Sequence, residues 1–346
     1  MKEKYNGFLA KEYAIVLVCI SICCSFIMLS NTIAYGQNLD LEALRNEAVK
    51  EGKIVWYESS PEDQIAKIQL VFNTRYPDIK LEHVRLRGAD VGTRIIAESS
   101  ADAPTADVVT TGLDILVDLN DRNLLAKQNW NDLGFGSDLI STPYALKSMV
   151  ALYIIDYNSD IVSAKDAPAT WNDLLDPKWK GKVGIWQKLS SIATLEPAWG
   201  KDKVLEFAKK FAAQNPVIYN SNYPLNNALA AGEISVAITN YHTVFPVLGK
   251  GAPVKMVFAT PIPYEALCSS ITTKAKNPKA AMLFMNWLHS TEGAKTYEHA
   301  THRGNPWIAG TETYEIIRGK ELTAYSPEQN EEFKNMLKEI DNIILK

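Results

Sequence analysis

The sequence predicts an α/β protein with mostly parallel sheets, and three observations support this fold class. Helical and strand patterns alternate along the chain after residue 36, which is typical of parallel strands joined by crossover helices. No low-complexity linker interrupts residues 38–346. The 310 residues after residue 36 are enough for two packed domains. We therefore expect two α/β lobes joined by crossing strands rather than by a flexible tether.

The pattern begins with a helix, a strand and a second helix. Asn38 is placed to cap the first helix and Gly52 to end it. The apolar run 53–57 then predicts a buried strand. The second helix begins around Ser60 and Pro61, because serine is a favoured cap and proline is favoured at the first helical position.

Later segments repeat this alternation. Residues 106–111 predict a strand followed by a turn, and residues 181–186 predict the first strand of a second sheet. Two helices are expected near the C-terminus, one starting at 277–278 and one at 326–327, because each has a polar cap followed by proline.

The N-terminal residues have the order of a secretory signal peptide. Three lysines precede an almost uncharged apolar run at 14–29, and small residues follow at 34–36. The run is short for a membrane span, which needs about 20 residues. We expect a signal peptide at 1–36, cleaved after Gly36, and an uncleaved anchor is the alternative. Ile22 before Cys23 disfavours a lipoprotein site.

Composition and motifs disfavour several classes of protein. After residue 36 the chain carries 33 basic and 38 acidic side chains, with no basic concentration that suggests nucleic acid binding. Cys268 is the single cysteine of that part, so no intrachain disulfide is expected. The metalloprotease, serine hydrolase and phosphate-loop motifs are absent from the sequence. We expect no enzymatic activity.

Nine ordered segments carry a resemblance to a known family. The block Thr-Trp-Asn-Asp-Leu-Leu-Asp-Pro-Lys-Trp-Lys-Gly-Lys at 170–182 is the most specific of them. With this block, the chain resembles the extracellular solute-binding proteins that include the ferric-ion-binding periplasmic proteins. The matching segments are 51–60, 72–85, 93–98, 105–112, 157–160, 167–185, 229–238, 250–258 and 277–295.

The resemblance implies a type 2 periplasmic-binding fold, with two α/β lobes joined by a hinge and closing on a ligand. It places residues 38–143 and 261–346 in lobe 1 and residues 144–260 in lobe 2. It also implies the substrate-binding component of an ABC importer, a periplasmic monomer that delivers a small solute to a membrane permease. A separate ATPase would power that permease, in agreement with the missing phosphate-loop motif.

Ferric iron is one candidate ligand, because ferric members of the family hold the metal with adjacent tyrosines. The corresponding pair here is Tyr241 and His242, and imidazole is a softer donor than phenolate. Other expected positions also depart from the ferric pattern. Pro61 replaces a histidine ligand, while Ala151 and Tyr153 replace arginines that bind an accompanying anion.

A small anion or organic solute of phosphonate, phosphate ester, sulfonate or carboxylate type is the main expectation. Ser59 and Ser60 lie at a strand-to-helix turn, where free N–H groups and the helix dipole favour negative charge. Ser190 and Ser191 take the equivalent place in the other lobe. The alternative is that both pairs are helix caps.

Further cleft candidates are Thr110 and Thr111, at the end of a predicted strand, and Tyr57, at the end of another. A sensory receptor that delivers its ligand signal to a chemoreceptor or membrane kinase is a second functional alternative. Such a receptor would have the same two lobes that close on a ligand.

Overall fold

A computed structural model describes residues 40–346 of the chain. The predicted signal peptide and Asn38 lie outside the described residues. Two compact units are distinguished. Within the described residues, the small unit is 129–135, where the rings of Trp130 and Phe135 pack edge to face at 5.5 Å. The large unit comprises 40–128 and 136–346 and contains all the elements named below.

The large unit alternates strands and helices. Its strands are β1 Lys53–Glu58, β2 Lys80–Arg85, β3 Val108–Gly112, β4 Ile140–Thr142, β5 Ala145–Asn158, β6 Val183–Trp186, β7 Val217–Tyr219, β8 Val236–Asn240, β9 Val254–Val257, β10 Ile262–Ile271 and β11 Leu322–Thr323. Its α-helices are α1 Leu41–Glu51, α2 Glu62–Arg75, α3 Ala89–Ser100, α4 Leu113–Asp121, α5 Ser190–Ala193, α6 Glu196–Trp199, α7 Lys201–Ala212, α8 Asn222–Ala231, α9 Phe245–Leu248, α10 Pro278–Leu288, α11 Thr291–Thr301, α12 Glu312–Ile317 and α13 Asn330–Ile344. The predicted strands at 53–57, 106–111 and 181–186 are confirmed as β1, β3 and β6.

One mixed sheet runs through this unit in the order β2-β1-β3-β10-β5-β8-β6-β7. The strands β2-β1-β3 are parallel, and so are β8-β6-β7. Between these groups, β10 and β5 run antiparallel to their neighbours. The prediction of mostly parallel sheets therefore holds at both ends, and two long antiparallel strands join them.

Strand β5 belongs to both halves of the sheet. Its residues 146–152 pair with β10, and its residues 153–157 pair with β8. We call β1 to β4, β10 and the part of β5 up to residue 152 the first half. The rest of β5 with β6 to β9 is the second half.

Each half has its own apolar core. In the first half, Val109, Ile95 and Leu116 pack between the sheet and its helices. In the second half, Phe207 and Phe211 of α7 lie in a cluster that also holds residues of the last helix: Met336, Ile340 and Ile344. The last helix therefore packs on the second half.

Local hydrogen bonds explain where the first two helices begin. The carboxylate of Asp40 accepts from the N–H groups of Glu42 and Ala43 at 3.1 and 3.0 Å, so Asp40 caps α1. The predicted cap Asn38 is thus wrong by two residues. Helix α2 starts at Glu62 with no side-chain cap, because its N-cap residue is Pro61, whose side chain has no acceptor. Within residues 40–346, no helix is long and apolar enough to cross a membrane.

Candidate ligand-binding cleft

A buried carboxylate shapes the turn between β1 and α2. Glu58 is only 1% exposed. It accepts from the backbone N–H of Ser60 at 2.6 Å, from the Ser60 hydroxyl at 3.0 Å and from the Tyr297 hydroxyl at 2.9 Å. Three donors offset the cost of burying this carboxylate and fix the turn that leads into α2.

Arg303 joins this turn to the end of β8. Its Nη1 donates to the Ser60 hydroxyl at 3.2 Å, and its Nη2 lies 3.2 Å from Nε2 of His242. The chain turns towards this position at His302, the residue that follows the last residue of α11. His302 adopts a left-handed backbone conformation with φ of 58°. The carbonyl of Gly304 then accepts from the N–H of Val150 at 2.9 Å, which ties the segment to β5.

His242 is electrically neutral in this arrangement. Burial lowers its pKa well below the usual value, and the neighbouring Arg303 and His302 lower it further. Because the guanidinium can only donate, Nε2 of His242 must accept, which places the ring hydrogen on Nδ1. Nδ1 is buried and has no hydrogen-bond partner among the described residues. The cleft therefore contains a donor on His242 that is still available.

A cavity of about 220 Å³ opens beside these side chains. It is lined from the first half by Lys67, from the second by Tyr223 and His242, and from the segment after α11 by His302 and Arg303. The ring of His302 stacks on Phe245 with centroids 3.7 Å apart. Two positively charged side chains, Lys67 and Arg303, line this cavity, and one acidic side chain, Asp63, does so as well. Its electrostatics favour an anion.

A second polar cluster lies around the start of α5. The Tyr153 hydroxyl and Ser190 Oγ are buried there, and Asn222 Oδ1 is buried without a hydrogen-bond partner among the described residues. They are linked through Asn240, which pairs with Tyr153 in the sheet and accepts from Asn222 Nδ2 at 2.6 Å. Burial raises the pKa of Tyr153 well above its usual value, and the carboxylate of Glu265 adds to the effect. Hydrogen bonding from the side chains of Ser190 and Asn240 lowers that pKa in part. An unpaired buried polar atom such as Asn222 Oδ1 is costly unless a ligand or water meets it.

The hydroxyl of Tyr241 is directed at Glu312. Its ring is buried against Phe245 and Phe258, and its hydroxyl donates to Glu312 at 3.5 Å, a long bond. Burial raises the pKa of Tyr241 far above its usual value, and the carboxylates of Glu312 and Glu298 raise it further. The phenol is therefore held protonated.

The predicted residues of the first half are mostly engaged inside that half. Tyr57 donates to Glu98 at 2.8 Å, and burial raises the pKa of Tyr57 to about 12. Thr110 accepts from the indole of Trp56 at 2.9 Å and lies 2.6 Å from the hydroxyl of Ser269. That Tyr57 and Thr110 contact the ligand stays a prediction; in this structure their hydroxyls are bonded to neighbouring side chains of the same half.

The other predicted residues fall into two groups. Ser60, Ser190 and His242 lie in the two polar clusters described above. Ser59 is half-buried and donates weakly to Glu58 at 3.3 Å. Thr111 and Ser191 are buried, in β3 and α5 respectively. The helix-cap alternative is wrong for the serine pairs, because no serine side chain caps α2 or α5.

Sequence reasoning missed Glu58, Tyr297 and above all Arg303. No motif in the residues before Arg303 indicated a binding site. One available signal was the glycine that follows. A Cβ at Gly304 would lie 1.9 Å from Glu298 Oε1, so the chain must pass through a crowded interior at this point.

Comparison with known proteins identifies the class to which this fold and this cleft belong. A model of the family described as bacterial extracellular solute-binding protein matches residues 71–310, and the chain belongs to that family. It is a solute-binding protein of ABC-importer type, with a small-molecule ligand and a membrane permease as partner. The family and its structural relatives are binding proteins rather than enzymes.

Among solved structures, iron-bound HitA from Pseudomonas aeruginosa has a TM-score of 0.67 at 17% identity over 84% of this chain and 99% of its own. AfuA from Actinobacillus pleuropneumoniae, with fructose-6-phosphate bound, has a TM-score of 0.66 at 23% identity over 85% and 99%. IdiA (FutA) from Trichodesmium, in complex with iron and citrate, has a TM-score of 0.69 at 19% identity over 85% and 100%. These likenesses establish the two-lobed periplasmic-binding fold.

An uncharacterized protein of Haemophilus influenzae is 29% identical over 136 residues, which cover 37% of this chain and 39% of that protein. The match thus spans about two fifths of the length of this relative.

Proposed function

We propose that the chain captures a small anionic organic solute in the cleft between its two halves and delivers it to the permease. The main support for this proposal is the position of Arg303. Its guanidinium lies between Ser60 and His242, and its Nε is buried without a partner among the described residues. A guanidinium in this position recognises phosphate, phosphonate, sulfonate or carboxylate oxygens with charge-assisted hydrogen bonds. The buried polar atoms of Tyr153, Ser190 and Asn222 offer further partners for the organic part.

The lobe division proposed for closure is 38–143 with 261–346 against 144–260. Strands β5 and β10 would be the hinge, because they cross from one half of the sheet to the other. The last helix departs from this division, since it packs on the second half. A ligand that contacts both lobes binds the closed state better and shifts the population towards it.

The proposal also includes where the protein acts and its oligomeric state. Residues 1–36 would be removed on export, and the mature protein would act in the periplasm as a monomer. It would catalyse no reaction, and a separate ATPase would power the permease.

Two features favour an anion over ferric iron at Tyr241 and His242. Ferric iron is held by tyrosinate, and the hydroxyl of Tyr241 is directed at Glu312. Burial and the nearby carboxylates raise its pKa, so its deprotonation by a metal costs more than that of an ordinary tyrosine. The positive charge of Arg303 next to His242 also opposes a trivalent cation. The sugar phosphate bound to AfuA is an example of the anionic class proposed here.

Calorimetry with a panel of sugar phosphates, alkyl phosphonates, sulfonates and dicarboxylates tests this function. We expect at least one anionic class to bind saturably and Arg303→Gln to weaken it by about 10- to 100-fold, as expected for loss of a charge-assisted bond. Arg318→Gln, which removes an exposed arginine at the end of α12, is the matched control and should bind like the wild type. Equal affinity of the Arg303 and Arg318 variants would reject the proposed site.

A further inference from the structure

The hydrogen bonds around Ser60 have a direction that donor chemistry fixes. A carboxylate only accepts, and a guanidinium only donates. The single hydroxyl hydrogen of Ser60 is therefore donated to Glu58 Oε1 at 3.0 Å, and the hydroxyl oxygen accepts from Arg303 Nη1 at 3.2 Å. The backbone N–H of Ser60 is also committed, to Glu58 Oε2 at 2.6 Å. Neither hydrogen of Ser60 is left for a ligand.

Tyr297 completes the same assembly from the opposite side. Its hydroxyl donates to Glu58 Oε1 at 2.9 Å and lies 3.2 Å from the Ser60 hydroxyl. Its ring is 1% exposed and packs edge to face against Trp56. Tyr297 lies on α11, the helix whose end leads directly into Arg303. Helix α11 thus supplies a group that holds the turn, and the segment directly after it supplies the cation that the turn holds.

The guanidinium keeps free donors while it is held. An arginine has five N–H donors, and two of its nitrogens are directed at Ser60 and His242. The Nε–H is buried and has no partner among the described residues. A cation held in place before a ligand arrives loses less conformational entropy on binding, which increases affinity.

We propose that Ser60 and Tyr297 are positioning residues that orient Arg303 in the cleft and do not themselves contact the ligand. The consequence for ligand affinity rests on the proposed function, whereas the orientation of Arg303 does not. Ser60 provides the acceptor for the guanidinium. Tyr297 and Glu58 keep the Ser60 hydroxyl turned so that its lone pair, and not its hydrogen, faces Arg303.

Chemical modification of arginine tests the orientation without any ligand. Phenylglyoxal is added to the full mature protein, and the modification rate of each arginine is followed by peptide mass spectrometry. We expect Ser60→Ala to speed modification of Arg303 by about tenfold, since a hydrogen bond to a charged group is lost. Arg85, which donates to the carbonyl of Ser59 at 3.2 Å, is the internal reference and should keep its rate.

Two further variants separate positioning from general loosening of the turn. Ser59→Ala removes the neighbouring hydroxyl, whose hydrogen bond is a weak one to Glu58 at 3.3 Å rather than to Arg303, and should leave the rate for Arg303 unchanged. Tyr297→Phe keeps the buried ring and should raise that rate by roughly threefold, because it acts through Glu58 and Ser60. Equal rates for Arg303 in the two serine variants, or a parallel rise for Arg85, would overturn the positioning role.

Binding of a named probe distinguishes this inference from the proposed function. The probes are inorganic phosphate and glucose 6-phosphate, titrated into the wild type, Ser60→Ala and Arg303→Gln. Weaker binding in both variants supports both proposals. If Arg303 becomes reactive in Ser60→Ala while Arg303→Gln binds both probes as the wild type does, the positioning role stands and the anion site is wrong.

Discussion

The burial of Asp156 predicts that the free energy of unfolding depends on pH. Asp156 lies on β5 inside the second half, fully buried, where Oδ2 accepts from the Thr239 hydroxyl at 2.5 Å and Oδ1 has no partner among the described residues. Burial raises its pKa from 3.8 to about 7. Because the folded state binds this proton more tightly than the unfolded state, the stabilisation is complete below about pH 4 and is lost as the pH rises to 7.

The size of the effect follows from the two pKa values. Between pH 5 and pH 7 the unfolded carboxyl is ionised while the folded one is still protonated, and each pH unit removes about 1.4 kcal/mol. We expect the wild type to lose about 2 to 3 kcal/mol of unfolding free energy between pH 5 and pH 8 relative to Asp156→Asn, which stays neutral.

Urea unfolding of both proteins at pH 5, 6, 7 and 8 measures this difference. Asp118→Asn is the control, because Asp118 is an exposed carboxylate on α4 that pairs with Arg122. Its stability should follow the wild type at every pH. If the curves of the wild type and Asp156→Asn stay parallel from pH 5 to pH 8, the reasoning about the buried carboxyl is wrong.

Two other predictions concern the fold and the ligand. The indole of Trp171 donates to the carbonyls of Ala259 and Pro261 at 3.2 and 3.0 Å, so Trp171→Phe should lower the unfolding free energy by about 1 to 3 kcal/mol in urea, and an unchanged midpoint would contradict this. Ferric citrate added to chelator-stripped protein should produce no tyrosinate charge-transfer band, because burial and the carboxylates of Glu312 and Glu298 raise the pKa of Tyr241 and oppose its deprotonation by the metal; a saturable visible band that Tyr241→Phe abolishes would show iron binding instead.

The sequence was sufficient for the strands and helices that carry strong periodic patterns. The apolar runs at β1, β3 and β6 fixed their positions, and Gly52, with φ of 73°, ends α1 as predicted. The side-chain hydrogen bonds at turns were harder to predict from the sequence. Ser60 and Pro61 correctly marked the start of α2, but the serine hydroxyl bonds Glu58 rather than capping the helix. A helix cap would use the serine oxygen as an acceptor, and here that oxygen accepts from Arg303, a contact that only the tertiary structure reveals.

The candidate site was only partly predictable, because it is assembled from distant parts of the chain. Ser60 and His242 were predicted separately, but Arg303 joins them from 243 and 61 positions away. Local spacing carries no information about such contacts. Thr110 was predicted from its place at a strand end, and the sequence did not show that its hydroxyl belongs to a buried network with Trp56.

Mass spectrometry of the ligand released from protein purified out of a bacterial periplasm tests the central claim most directly. We predict that the wild type releases an anionic organic solute, that Arg318→Gln releases the same compound, and that Arg303→Gln releases far less of it. Release of iron or of a neutral solute, or equal release from the Arg303 variant, would contradict the assignment of the cleft to an anion.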